Sequence, residues 1–107
     1  VERSRGLGDV YKRQRIDSNA AARLEEALKA ITAAKRFRIV VDMENVEYIS
    51  SRGLRALITT LKETRRWNRG DLRLCNVPHR IKQVLDLAGL TPLFKIYDDA
   101  VDAVGSF

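Results

Sequence analysis

Hydrophobic and polar positions alternate along this chain in two periods, and the switches between them mark out the elements. Ile39-Val40-Val41-Asp42 is an unbroken apolar run, introduced by Lys35-Arg36-Phe37-Arg38, and it predicts a short strand covered on both faces. From about Gly53 to Trp67, Leu54, Leu57, Ile58 and Leu61 recur at helical spacing, which predicts an amphipathic helix. The same period, carried by Leu24, Ala27, Leu28 and Ile31, predicts a helix over 20–34, with Asp17 or Ser18 as its cap. Gly70 can end the second helix, and Asp71 to Val77 reads as a strand. Pro78 opens a third helix through Ala88, with Ile81, Val84, Leu85 and Leu87 as its apolar residues; Gly89 and Pro92 follow. Leu93 to Tyr97 predicts the last strand, and Asp98 or Asp99 caps a short terminal helix bearing Ala100, Val101 and Val104. Strands alternating with helices predict an α/β fold, a largely parallel sheet built from right-handed βα units.

Composition narrows the class without changing that picture. A chain of 107 residues is one domain with a single modest core, and 45% hydrophobic against 32% charged residues places it among globular rather than disordered proteins. No run approaches the ~20 apolar residues that span a bilayer, and no signal peptide is visible. Cys75 has no second cysteine to pair with and reads as a small buried hydrophobe, consistent with a reducing cytoplasm. A lone cysteine and a lone His79, expected at the solvent-facing first turn of its helix, exclude a conventional Cys/His metal cluster, and nothing calls for a cofactor. Asp42, Glu44 and Glu47 form an acidic turn best read as solvated carboxylates, with Glu44 to Glu47 in a loop. With no nucleophile–base pair discernible, an enzyme is not expected.

Positive charge concentrates on the second helix, where Arg55, Lys62, Arg66 and Arg69 fall along one stripe. This is either a solvated face or a dock for an acidic partner surface. Nucleic-acid binding would need interleaved aromatics or a reading motif, and neither is present; Trp67 is expected to cover the core.

The first 14 residues stand apart. Asp9-Val10-Tyr11-Lys12-Arg13-Gln14 is the translation of GAT-GTG-TAT-AAG-AGA-CAG, the end of a transposase-type sequencing adaptor, so residues 1–14 read as a scar and 15–107 as the domain. Without Arg3, Arg5, Lys12, Arg13, Glu2 and Asp9 the net charge falls from +6 to +4, four cations and two acids being removed.

The chemistry of interest lies in Tyr48-Ile49-Ser50-Ser51-Arg52-Gly53-Leu54, which follows the strand-like run Ile39 to Asp42 and opens the second helix. Gly53 permits a tight turn, and Ser50 or Ser51 can cap the first backbone N–H groups. A hydroxyl there sits at the positive end of the helix dipole, where a phosphate is well tolerated, although spacing alone supports a plain cap more strongly.

This order of acidic turn, hydrophobic pair, Ser-Ser-x-Gly-Leu and amphipathic helix resembles the STAS domain of bacterial anti-sigma factor antagonists. The family's usual Asp-Ser-Ser/Thr-Gly-Leu places Ser50 at its Asp, Ser51 at its phosphorylated Ser, Arg52 at the following Ser/Thr, and Gly53-Leu54 in register. Ile16-Asp17 matches the end of the family's second strand, while the Gly usual there falls on Gln14. Most of the first two strands are therefore expected to be missing, leaving an uncovered sheet edge; Val10 to Ile16, poor in apolar alternation, is the available substitute.

What the resemblance implies is partner switching. The unphosphorylated protein binds a serine-kinase anti-sigma factor, phosphorylation of Ser51 (Ser50 being the alternative acceptor) dissociates the complex, and a phosphatase resets it. The docking surface implied comprises Asp17, Ser50, Ser51, Arg52, Gly53 and Arg55, on a cytoplasmic protein that is monomeric when unbound, with no nucleic-acid or direct membrane contact. A STAS domain without a phospho-switch is the other possibility, as the regulatory domain of an anion transporter or a small subunit of a lipid-transport complex.

Overall fold

The computed structural model describes residues 2–4 and 14–107. All paired strands are parallel. The main sheet has the order β1 (Glu2–Ser4), β3 (Arg38–Asp42), β5 (Asp71–Cys75), β6 (Lys95–Tyr97); β2 (Gln14–Ile16) and β4 (Val46–Ile49) form a second, two-stranded sheet. The helices are α1 (Ser18–Ala33), α2 (Ser51–Arg65), α3 (His79–Leu87) and α4 (Ala100–Gly105), with a 3-10 turn at Thr91–Leu93.

The strand period sorts the core into two layers. Ile39 and Val41 of β3 and Leu72 and Leu74 of β5 face the main cluster, with Leu24 and Leu28 of α1, Leu57 and Leu61 of α2, and Ile81 and Leu85 of α3. Val40 and Cys75 point the other way, onto Ala100 and Ala103 of α4, so β3 is covered on both faces as its apolar run predicts. Cys75 is buried and forms no disulfide among the described residues.

Two strands of only three residues each precede the first helix. Glu2–Ser4 lies along the edge of β3, opposite Ile39 to Val41, and Gln14–Ile16 runs along β4. Strand pairing joins backbone N–H and C=O groups, so an open edge accepts a segment whose side chains suit it poorly. The remainder of the segment 1–14, and with it most of Val10–Ile16, lies outside the described residues.

The supposed loop at Glu44–Glu47 runs into a strand, β4, whose first half it contains, with Val46 and Ile49 buried and Tyr48 turned out. Asp42 is not solvated: it is buried at the end of β3, where its Oδ1 accepts from the N–H of Glu44 (3.1 Å) and the Asn76 amide (3.2 Å). Leu87 is 90% exposed, because it lies on the side of α3 opposite Ile81 and Leu85. Val101 of α4 is exposed as well. Trp67 does not seal the core; it lies beyond the end of α2, half exposed, stacked on Phe37 with ring centroids 4.6 Å apart. The basic stripe is broken, for Arg66 is already the C-cap and Arg69 stands outside the helix with φ 60°.

Candidate functional site

Two adjacent parallel strands, β2 and β4, deliver two helix N-termini side by side. β2 ends at Ile16, and Asp17 then caps α1, its carboxylate accepting from the N–H of Ala20 at 2.9 Å. β4 ends at Ile49, and the N–H of Ser50 donates to the carbonyl of Ile16 at 2.7 Å, locking the two strand ends together. Ser50 is extended (φ −76°, ψ 166°), and its Oγ accepts from the N–H of Gly53 at 3.2 Å. The capping serine is therefore Ser50.

Ser51 is the first helical residue, exposed, and among the described residues its hydroxyl makes no hydrogen bond. It stands beside backbone N–H groups of the first turn that have no intrahelical acceptor, at the positive end of a helix of 15 residues.

Gly53 owes its place to close approach rather than to a special dihedral. A Cβ there would lie 2.7 Å from Ile49 Cγ1 and 3.0 Å from Ile16 Cγ2. The residue is buried inside α2, so it sets how near the helix start lies to the two strands and does not itself face outward.

Arg52 reaches across to α1, with Nε 3.7 Å from Glu25 Oε2 and Nη1 3.5 Å from the Ser18 carbonyl. Arg55 is exposed one turn along from Ser51. Ser50, Ser51, Arg52 and Arg55 line an open cleft of about 640 Å³ between the two helices, together with Ser18, Glu25, Lys29, Tyr48 and Thr59. Four of the six residues predicted for docking thus converge on one surface. Asp17 stands at the neighbouring N-terminus, exposed but outside that lining, and Gly53 lies beneath it.

Sequence reasoning missed Glu25, Lys29 and Tyr48. The first two form an i,i+4 pair on α1 (3.5 Å), a spacing visible in the sequence, but only the fold shows that α1 flanks the turn. The Tyr48 ring carries the Arg15 guanidinium 4.6 Å above it. Around Ser51 the cleft holds Lys29, Arg52 and Arg55 against Glu25, a cationic balance that tolerates an added phosphate. No three His, Cys, Asp or Glu side chains converge to hold a metal among the described residues.

Comparison with known proteins agrees with this geometry. The STAS domain family model matches residues 1–103. BtrV, a candidate anti-sigma factor antagonist of Bordetella bronchiseptica, is 29% identical over 92 residues, which are 86% of this chain and 78% of that protein. The crystal structure of an anti-sigma factor antagonist from Mycobacterium paratuberculosis superposes with a TM-score of 0.75 at 25% identity, over 88% of this chain and 79% of that one. The fold is shared more widely: a sulfate transporter family protein from Wolinella succinogenes gives a TM-score of 0.76 at 21% identity, over 98% and 82% of the two chains. The chain belongs to the STAS domain family.

Proposed function

We propose that this STAS domain is an anti-sigma factor antagonist that works by partner switching. In its unphosphorylated form it docks, through the face containing Ser51, Arg52 and Arg55, on a serine-kinase anti-sigma factor and so frees the sigma factor. The kinase transfers the γ-phosphoryl group of ATP to Ser51 Oγ; the hydroxyl proton passes to a base on the kinase and ADP leaves. The phosphate adds about −1.5 to −2 charge at the centre of the docking face, and the complex dissociates until a phosphatase removes it. The protein acts in the cytoplasm and is a monomer when unbound.

The observation that carries this reading is the division of labour between two neighbouring serines. Ser50 Oγ is occupied in capping, while Ser51 is exposed with its hydroxyl unengaged among the described residues. A cap by itself needs only the first of these. The relatives named as antagonists support the same reading.

The test is phosphorylation by the cognate kinase with ATP, mapped by mass spectrometry. Phosphate is expected on Ser51, and Ser51→Ala abolishes incorporation while still binding the partner. Ser51→Asp weakens binding by tenfold or more, because like charge set against a surface shaped for a neutral hydroxyl costs several kcal/mol. Phosphate on Ser50 with none on Ser51 would overturn the assignment.

A further inference from the structure

A second group of charges lies at the other end of α2. Helix rise separates Ser51 from Arg65 by roughly 20 Å, so this region shares no residue with the switch face. Here Arg65, Arg69, Arg73 and Lys95 line an open cleft of about 500 Å³, with Asp71 as the one acidic side chain in its lining.

Asp71 is buried and holds two guanidinium groups by one nitrogen each. Its Oδ1 accepts from Arg65 Nε at 2.9 Å and its Oδ2 from Arg73 Nε at 3.0 Å. Arg65 is fixed further by Nη2 donating to the Leu93 carbonyl (2.7 Å). Arg73, itself buried, donates through Nη1 to Ser106 (2.5 Å) and lies 4.0 Å from the Phe107 ring. Both forks are thus held at a set angle, and in each one terminal nitrogen, Arg65 Nη1 and Arg73 Nη2, has no acceptor among the described residues. Arg69 and Lys95 are exposed and form no ion pair among the described residues.

A position at the last turn of a helix accounts for Arg65, since the dipole favours cations there. It does not account for Arg73 on β5 or Lys95 on β6, which the parallel register places opposite each other. Four cations gathered around one already-paired carboxylate repel one another unless an anion joins them. Fixed guanidinium forks suit a tetrahedral oxyanion better than a single carboxylate, because several oxygens can each accept a donor pair.

We infer that this cleft, remote from Ser51, is a binding site for a phosphate group, carried by a soluble phosphorylated ligand or by a lipid headgroup. Arg65 and Arg73 form its rigid floor. Arg69 and Lys95 close over the anion.

The test uses inorganic pyrophosphate, titrated at constant ionic strength into the isotopically labelled chain and followed by amide chemical shifts. Shifts are expected to centre on Gly70, Arg73 and Lys95. In a second arm, phosphatidylcholine vesicles with and without a phosphatidylinositol phosphate are sedimented with the protein. Saturable pyrophosphate binding with no vesicle retention identifies a soluble ligand, and selective retention by phosphoinositide vesicles identifies a headgroup. Arg69→Ala with Lys95→Ala should reduce either signal at least tenfold while leaving thermal melting unchanged. The proposal is overturned if neither probe binds, if the shifts centre on Arg52 and Arg55, or if the double variant binds as the parent does.

Discussion

Gly53→Ala tests the claim that glycine is required at the switch turn by space and not by conformation. In an unstrained helix the change stabilises, by up to about 1 kcal/mol from helix propensity. Here the new Cβ meets Ile49 Cγ1 at 2.7 Å, Ile16 Cγ2 at 3.0 Å and Ile49 Cδ1 at 3.3 Å. Both isoleucines are buried, at 4% and 2% exposure, and Cγ atoms cannot swing aside as a chain end would. Overpacking of this kind costs roughly 1–3 kcal/mol, which outweighs the propensity gain. The net expectation is destabilisation of about 1 kcal/mol, near 4 °C in melting temperature for a domain of this size. Ile49→Ala alone should cost about 2–5 kcal/mol through the cavity it leaves. Combined, the two changes should cost less than their sum by at least ~0.5 kcal/mol, because removing the Cγ atoms makes room for the Cβ. Urea denaturation of all four proteins measures that cycle. A stabilised Gly53→Ala, or single effects that add within ~0.3 kcal/mol, would refute the reasoning.

Two further predictions concern stability alone, read from urea midpoints. Ser50→Ala should lose about 1 kcal/mol with the cap, whereas Ser50→Asp, which restores another good cap, should stay within ~0.5 kcal/mol of the parent. Asp71→Ala leaves buried Arg73 without its carboxylate and should cost about 3–5 kcal/mol, while Arg65→Ala removes only the 43%-exposed partner of the same carboxylate and should cost about 1 kcal/mol or less.

What the sequence disclosed depended on how local the cause was. The stripe Leu54, Leu57, Ile58, Leu61 announced α2 because burial on a helix repeats every turn, and its register holds. Asp17 and Asp99, each one of two candidates for its helix, are the caps, and both were within reach because a cap bonds within three residues of itself. β4 was largely missed because four residues with Glu47 and Tyr48 turned away from the core offer too little alternation, and β2, its partner, supplies the other half of the signal. Asp42 was misjudged because the group that satisfies it, Asn76, lies 34 residues away. Asp71 and Arg73 share a face by strand period, which is readable, but only the docking of α4 makes that face an interior one. At the switch turn the motif was legible, yet the assignment of cap to Ser50 and free hydroxyl to Ser51 needed the position of one N–H, that of Gly53.

That assignment bears on how a phosphate would act. The bond that starts α2 runs from Gly53 N–H to Ser50 Oγ and does not involve Ser51, so modifying Ser51 leaves the cap in place. Ser50 stands where the family usually has Asp, which keeps a capping oxygen but removes a negative charge next to the acceptor. With Lys29, Arg52 and Arg55 nearby, the cleft is then more cationic than it would be with the family's residue. An added phosphate meets attraction within its own chain, where it can pair with arginine at the positive end of α2. The free protein therefore has no reason to unfold or rearrange on modification. The proposed switch therefore works through the surface presented to a partner: the same fold, with the same helix start, would carry a phosphate of about −1.5 to −2 charge where a neutral hydroxyl stood, at the middle of the proposed docking face, and it is the partner that could no longer be accommodated.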